Sequence, residues 1–128
     1  MPTWTPHSLA DAPPPKGPYS PAIRAGNFIY VSGQVPRDPR TGDLIGPDII
    51  GQTRQTLDNV EALIKAAGGS LADVISCTVY LQNVDDWEAM NSVYKEYFSP
   101  PYPTRTAVGA DLRDILVEIS AIAFVADR

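Results

Sequence analysis

Two stretches of helical period, set among runs of strand-forming residues, restrict this chain to very few architectures. Ile50, Thr53, Leu57, Val60, Ile64 and Ala67 recur at helical spacing between Asp48, a good N-cap, and Gly68-Gly69, a good stop. Asp85-Asp86-Trp87-Glu88 reads as a second helix start, with Asp85 as N-cap and Glu88 as its capping-box partner. Trp87, Met90, Tyr94 and Phe98 (or Tyr97) form the apolar stripe that follows. Around the helices lie five runs rich in β-branched and aromatic residues: 22–25 and 28–32, joined by the hairpin pair Gly26-Asn27, then 74–81, 103–108 and 116–123. In the third of these, Ile75, Cys77, Val79 and Leu81 alternate onto one face. The predicted order is β-β-α-β-α-β-β, an α+β fold with one sheet and both helices on one of its faces. The other face is partly apolar, so copies of the chain are expected to associate through their sheets.

The last two runs each carry one charge in the middle, Arg105 in the first and Glu118 in the second. Glu118 stands between Val117 and Ile119, in a segment otherwise built for a core. An isolated buried carboxylate is very unfavourable, so it must find a partner, open onto a cleft or hold a proton. A hairpin centred at Asp111-Leu112 would set Arg105 directly opposite Glu118, although the two strands could instead be separated in the sheet. A structural ion pair is one reading. The other is an anion-binding guanidinium beside a water-activating carboxylate.

Composition excludes several chemistries. With 44% hydrophobic residues in 128, the chain can bury a core as one domain, 1–128, without disulfides. One cysteine, Cys77, and one histidine, His7, provide neither a metal-ligand cluster nor a Ser-His or Cys-His nucleophilic pair. Cys77 among apolar neighbours reads as an inert core thiol. The formal charge of −5 argues against nucleic acid, whose binding begins with phosphate neutralisation. No apolar run is long enough to span a membrane, and the N-terminus lacks a signal-peptide pattern, so a cytoplasmic protein is expected. Residues 1–16, polar and Pro-rich, read as an extended arm that packs late or not at all, with His7 a solvated surface residue. Gln52, Arg54, Gln55, Asp58, Glu61 and Lys65 lie largely off the first helix stripe, as a solvated face or a subunit contact. Tyr19 is presented from a Gly/Pro loop. Gly33, at a strand end after Ser32, lets backbone or ligand approach closely. Asn91 sits on the second helix stripe and needs a hydrogen-bond partner.

Gly17-Pro18-Tyr19-Ser20, Val31-Ser32-Gly33-Gln34, Asp38-Pro39-Arg40-Thr41-Gly42, Gln52-Thr53-Arg54-Gln55, Asn91-Ser92-Val93-Tyr94, Pro103-Thr104-Arg105 and Val117-Glu118-Ile119 occur in this order and spacing. The ordered set resembles the Rid (YjgF) family of reactive intermediate deaminases, from Gly17 onward. The resemblance implies a chorismate-mutase-like fold and a homotrimer with a central barrel and clefts at the subunit interfaces. It also implies cofactor-independent hydrolysis of 2-aminoacrylate-type enamine or imine acids to 2-keto acids and ammonia. Arg105 matches the carboxylate-binding arginine, Glu118 the water-positioning glutamate and Tyr19 a tyrosine near the substrate. Ser32, Gly33, Asn91 and Ala107 match cleft positions. Ala107 departs from the cysteine of many members, which puts thiol-dependent activities in doubt. The loop before Glu118 is shorter and has Leu112-Arg113 in place of Leu-Pro, which bears on substrate size. Relatives also suggest a larger substrate such as 2-aminomuconate, a non-enzymatic carboxylate-binding regulator, or an endoribonuclease that inhibits translation.

Overall fold

The structure, a computed structural model, describes residues 3–127. Six strands form one mixed sheet: β1 (Thr5–His7), β2 (Ala22–Ala25), β3 (Phe28–Gln34), β4 (Val74–Leu81), β5 (Thr104–Gly109) and β6 (Val117–Phe124), in the spatial order β1-β2-β3-β6-β4-β5. Helices α1 (Ile49–Ala66) and α2 (Trp87–Tyr97) pack against each other and over one face of the sheet. The expected α+β order holds, with one strand added. Thr5–His7 pairs antiparallel with β2, His7 opposite Ala22, so part of the arm is edge strand and not free chain. Its Pro6 occupies an edge, where a missing N–H is tolerated. Residues 1 and 2 of the arm lie outside the described residues.

The core is the layer between helices and sheet. Leu57, Val60 and Ile64 of α1 and Met90 and Val93 of α2 meet Ile29, Val79, Leu81, Val117 and Ile119 of the strands, all buried. Asp48 caps α1 as expected, its Oδ1 accepting from the Gly51 N–H at 3.0 Å. Gly68, at φ +96°, lets the chain turn out of the helix, and the Gly69 N–H closes on the Ile64 carbonyl at 2.9 Å.

Three local expectations are corrected. Ile50 is exposed and Gln52 buried: the other stripe residues, Thr53, Leu57, Val60, Ile64 and Ala67, are buried as expected, and the buried face widens to take in Ile49 and Gln52. Gln52 stays inside because both ends of its amide are used: Oε1 accepts from the Leu116 N–H at 2.8 Å and Nε2 donates to the Gly46 carbonyl at 3.1 Å. Ile75 faces solvent, since the β4–β6 register shifts between Val74 and Ser76 and the bulge turns it outward. At α2 the capping box does not form. Asn83 accepts from the Asp85 N–H at 2.9 Å and starts a single 3-10 turn, Val84–Asp86, from which α2 continues at Trp87.

The open face of the sheet is apolar at one end. Phe28 and Phe124, register partners on β3 and β6, meet edge to face with centroids 5.2 Å apart, and Tyr30 lies beside Phe28. All three are exposed on the single chain.

Candidate functional site

β5 pairs parallel with β4, and β4 pairs antiparallel with β6. The hairpin expected between the last two runs is therefore absent, and β4 stands between them. Parallel pairing is open to β5 because α2 supplies the crossover from β4. Arg105 is opposite Cys77 on β4, while Glu118 is opposite Tyr80. Side chains alternate along β4, so Cys77 and Tyr80, three residues apart, face opposite ways. Arg105 thus lies on the helix face of the sheet and Glu118 on the open face. They make no ion pair with each other.

Arg105 is seated by α2. Its guanidinium carbon lies 4.8 Å from the centre of the Tyr94 ring and 5.3 Å from that of Trp87, and its Nη1 donates to Asn91 Oδ1 at 2.6 Å. The expectation that Asn91 needs a partner is met by Arg105 itself. Trp87, Asn91 and Tyr94 share one helical face at spacings of four and three, and form a rigid bed that holds the guanidinium in one orientation. No carboxylate within 4.0 Å neutralises Arg105 among the described residues. The guanidinium borders an open pocket of about 370 Å³ lined by Asn91, Tyr94, Lys95, Tyr102, Pro103 and Arg105. Behind it, burial pushes the Cys77 thiol above its ordinary range, with Tyr94 and the Arg105 charge pulling it part of the way back. Cys77 is buried and unsuited to nucleophilic work. Burial also raises the Tyr94 hydroxyl, with Cys77 adding to the effect.

Glu118 belongs to a second cluster. Its carboxyl is half-buried against β3, and this desolvation raises its pKa above the ordinary value of 4.5. It touches Gly33 so closely that a Cβ there would overlap Oε2. The ladder between β3 and β6 is irregular between Val31 and Gln34, which accommodates this approach. Ser32 ties the strand to the Tyr19 loop: its Oγ donates to the Ser20 carbonyl at 2.7 Å and its N–H to the Pro21 carbonyl at 2.9 Å. Tyr19 is exposed and shares with Gly33 the wall of a groove of about 330 Å³, to which arm residues Ser8, Leu9 and Pro13 contribute.

The candidate residues therefore fall into two halves on one chain. Arg105 and Asn91 form one, and Tyr19, Ser32, Gly33 and Glu118 the other. Ala107, opposite Val79, is on the Arg105 side of β5 but packs against the core and does not line the Arg105 pocket. Sequence reasoning placed Trp87 and Tyr94 in the core stripe and missed their contact with Arg105. The signal was the Asn91 amide lying between them. Among the described residues no cluster of His, Cys, Asp or Glu could hold a metal, and no helix is long and apolar enough to cross a membrane.

A family model described as Endoribonuclease L-PSP matches residues 9–125. The chain belongs to the Rid/YjgF family. A RutC family protein of Pyrococcus horikoshii is 52% identical over 89% of this chain and 92% of its own length. A 2-iminobutanoate/2-iminopropanoate deaminase of Capra hircus is 41% identical over 91% of this chain and 86% of its own. Among solved structures, E. coli TdcF with bound serine is 35% identical with a TM-score of 0.87, covering 95% of this Rid-family chain and 99% of TdcF. The fold expected from the resemblance is thus the fold of the family.

Proposed function

We propose that the protein hydrolyses small 2-imino acids and their enamine tautomers to 2-keto acids and ammonia, in clefts formed where two copies meet. The observation that carries this reading is the Arg105 guanidinium, held by two rings and Asn91, without a carboxylate partner among the described residues and open to a pocket. A planar guanidinium fixed in this way takes a substrate carboxylate bidentately. The Capra hircus relative, named for imine deamination, and the serine held by TdcF fit a small amino-acid-like ligand.

In this reading Arg105 anchors the carboxylate and the imine carbon lies beyond it. Water adds to that carbon, the C–N bond breaks and nitrogen leaves as ammonia. Glu118 of an adjoining copy orients the water and takes its proton, while Tyr19 borders the same cleft. Because Arg105 and Glu118 are on opposite faces of one sheet, the proposal requires association. The exposed Phe28, Tyr30 and Phe124 offer an apolar surface for it, and the family resemblance implies a trimer. No cofactor enters the reaction, and a cytoplasmic setting suits substrates released by pyridoxal-phosphate enzymes.

A second reading is a regulatory protein that binds a small carboxylate without turning it over. Among the described residues of one chain, no carboxylate lines the Arg105 pocket, which favours this alternative. The endoribonuclease description attached to the family model fits less well, since a chain of formal charge −5 is poorly suited to RNA. A larger substrate such as 2-aminomuconate is the alternative within the same chemistry.

The test is a coupled assay. 2-Aminoacrylate or 2-aminocrotonate is generated by a dehydratase, and its decay is followed with wild type, Arg105→Ala and Glu118→Gln. Acceleration by wild type and its loss in Arg105→Ala support the deaminase. Ligand binding retained by Glu118→Gln, with turnover equal to wild type, would refute the role given to Glu118.

A further inference from the structure

The first helix carries two buried amides that reach out of it to the sheet. Gln52 and Asn59 lie seven residues apart, two turns and about 10 Å along one face of α1, and both are buried. The Asn59 amide is fully used. Its Nδ2 donates to the Val35 carbonyl at 3.0 Å and to the Arg37 carbonyl at 2.8 Å, and its Oδ1 accepts from Gln55 Nε2 at 2.9 Å. Gln52 holds the Leu116 N–H. Val35 follows Gly33 by two residues, and Leu116 precedes Glu118 by two. One helix face therefore grips both chain segments beside the point where Gly33 and Glu118 touch.

The end of β3 needs such a grip. Val31 pairs with Ala121 and Gln34 with Ile119, so β3 takes three steps where β6 takes two, and one residue beside Gly33 is extra. A bulge interrupts the ladder, and the backbone groups there depend on other partners. Before it, Ser32 is tied to the Tyr19 loop. After it, Asn59 holds a tight turn in which the Arg37 N–H donates to the Val35 carbonyl at 2.8 Å. We infer that Asn59 is a positioning residue for Glu118: from the helix face it fixes the end of β3 against β6, and so keeps Gly33 against the carboxyl group on the open face. This rests on the deaminase reading, in which Glu118 handles the water, and adds a residue that sets its place. An apolar side chain would serve packing alone. Two donors aimed at two carbonyls outside the helix, on an amide oriented by Gln55, specify a position.

The experiment pairs imine hydrolysis with an NMR titration of the Glu118 carboxyl carbon, assigned by its absence from Glu118→Gln. Asn59→Ala should lower kcat about tenfold, part of the ~10²-fold that a misplacement of about 1 Å can cost, and leave KM within about twofold because Arg105 is untouched. A loosened β3 also lets water reach Glu118, so its pKa should fall toward 4.5. Tyr80 of β4 and Gly33 of β3 flank the carboxyl, and desolvation is what raises it, with no charged group contributing. Gln55→Ala, which keeps Asn59 but removes the bond that orients it, should give both changes in smaller measure, and decides the matter if Asn59→Ala does not fold. Asn59→Ala/Glu118→Gln should be no slower than Glu118→Gln alone. Ile64→Ala, a core deletion further along α1, should cost stability and leave kcat and the titration as in wild type. A Glu118 titration unmoved in both Asn59→Ala and Gln55→Ala, or an equal loss of kcat in Ile64→Ala, overturns the inference and leaves the deaminase reading standing. If wild type accelerates no imine, the deaminase reading fails and the titration alone decides: a Glu118 pKa lowered in either variant supports the positioning role, and one unchanged in both overturns it.

Discussion

Gly33→Ala separates the position of Glu118 from its presence. A Cβ on Gly33 would overlap Glu118 Oε2 and lie 3.0 Å from its Cδ and 3.2 Å from its Cγ. Carbon atoms rest at about 3.5–4.0 Å, so the carboxyl carbon must withdraw by about 0.5–1 Å. The backbone of Gly33 is not in the left-handed region, so alanine is not excluded by strain. The displaced atoms are the far end of a flexible side chain, and a poorer rotamer costs about 0.5–1.5 kcal/mol. Alanine offsets about 0.4–1 kcal/mol of this by restricting the unfolded chain. Net stability should change by less than about 1 kcal/mol, a Tm shift of a few degrees at most. Catalysis is far more sensitive, since a misplacement of about 1 Å can cost about 10²-fold. We expect imine hydrolysis by Gly33→Ala to fall by about that factor, with an unchanged circular dichroism spectrum. The double variant Gly33→Ala/Glu118→Gln should be no slower than Glu118→Gln alone, because both changes act on one group. Wild-type kcat in Gly33→Ala, or a double variant much slower than Glu118→Gln, would refute the argument.

Two more predictions rest on buried or half-buried polar groups. Gln52→Ala strands the Leu116 N–H and the Gly46 carbonyl, and should destabilise the protein by about 2–4 kcal/mol in urea unfolding, two hydrogen bonds at about 1–2 kcal/mol each; a loss below about 0.5 kcal/mol would mean that water replaces the amide. For Glu118, burial raises the pKa above 4.5, so a base at this position loses its charge at a higher pH than an exposed glutamate does. The acid limb of kcat, which reports the complex in which the substrate carboxylate occupies Arg105, should therefore lie above pH 4.5 and vanish from the residual activity of Glu118→Gln. Stability runs the other way: protonated Glu118 is favoured by folding, so its contribution is complete below the unfolded pKa and is lost as pH rises through the folded one. A limb that persists in Glu118→Gln belongs to another group.

What could be read from the sequence follows from how local the deciding interactions are. Asp48 and Gly68-Gly69 act within one helical turn, and Gly26-Asn27 within one hairpin, so α1 and the first β-hairpin were legible from spacing alone. The arm was not: Thr5–His7 has no apolar alternation, and it becomes a strand only because β2 presents an unpaired edge. Ile75 and Gln52 were misplaced for related reasons. A one-residue bulge reverses the face of a strand residue, and an amide can replace an apolar side chain when Leu116 and Gly46, distant in sequence, supply its partners. Arg105, Glu118, Gly33 and Tyr19 stood out as residue types out of place in their segments. Their grouping depended on strand order, which the chain's local pattern does not encode.

That strand order has a chemical consequence. Had β5 and β6 formed a hairpin, Arg105 and Glu118 would have neutralised each other across it, depressing the carboxyl pKa and occupying the guanidinium. With β4 inserted, Glu118 is desolvated without a counter-charge, and its pKa rises. Arg105 is held by π faces and an amide, partners that orient a guanidinium without satisfying its charge. Each group is thus kept in the state the proposed reaction needs: an arginine still able to take a carboxylate, and a glutamate basic enough to accept a proton from water. On this reading the two meet only when copies associate, and a substrate carboxylate placed between them takes up the arginine's charge before the glutamate can.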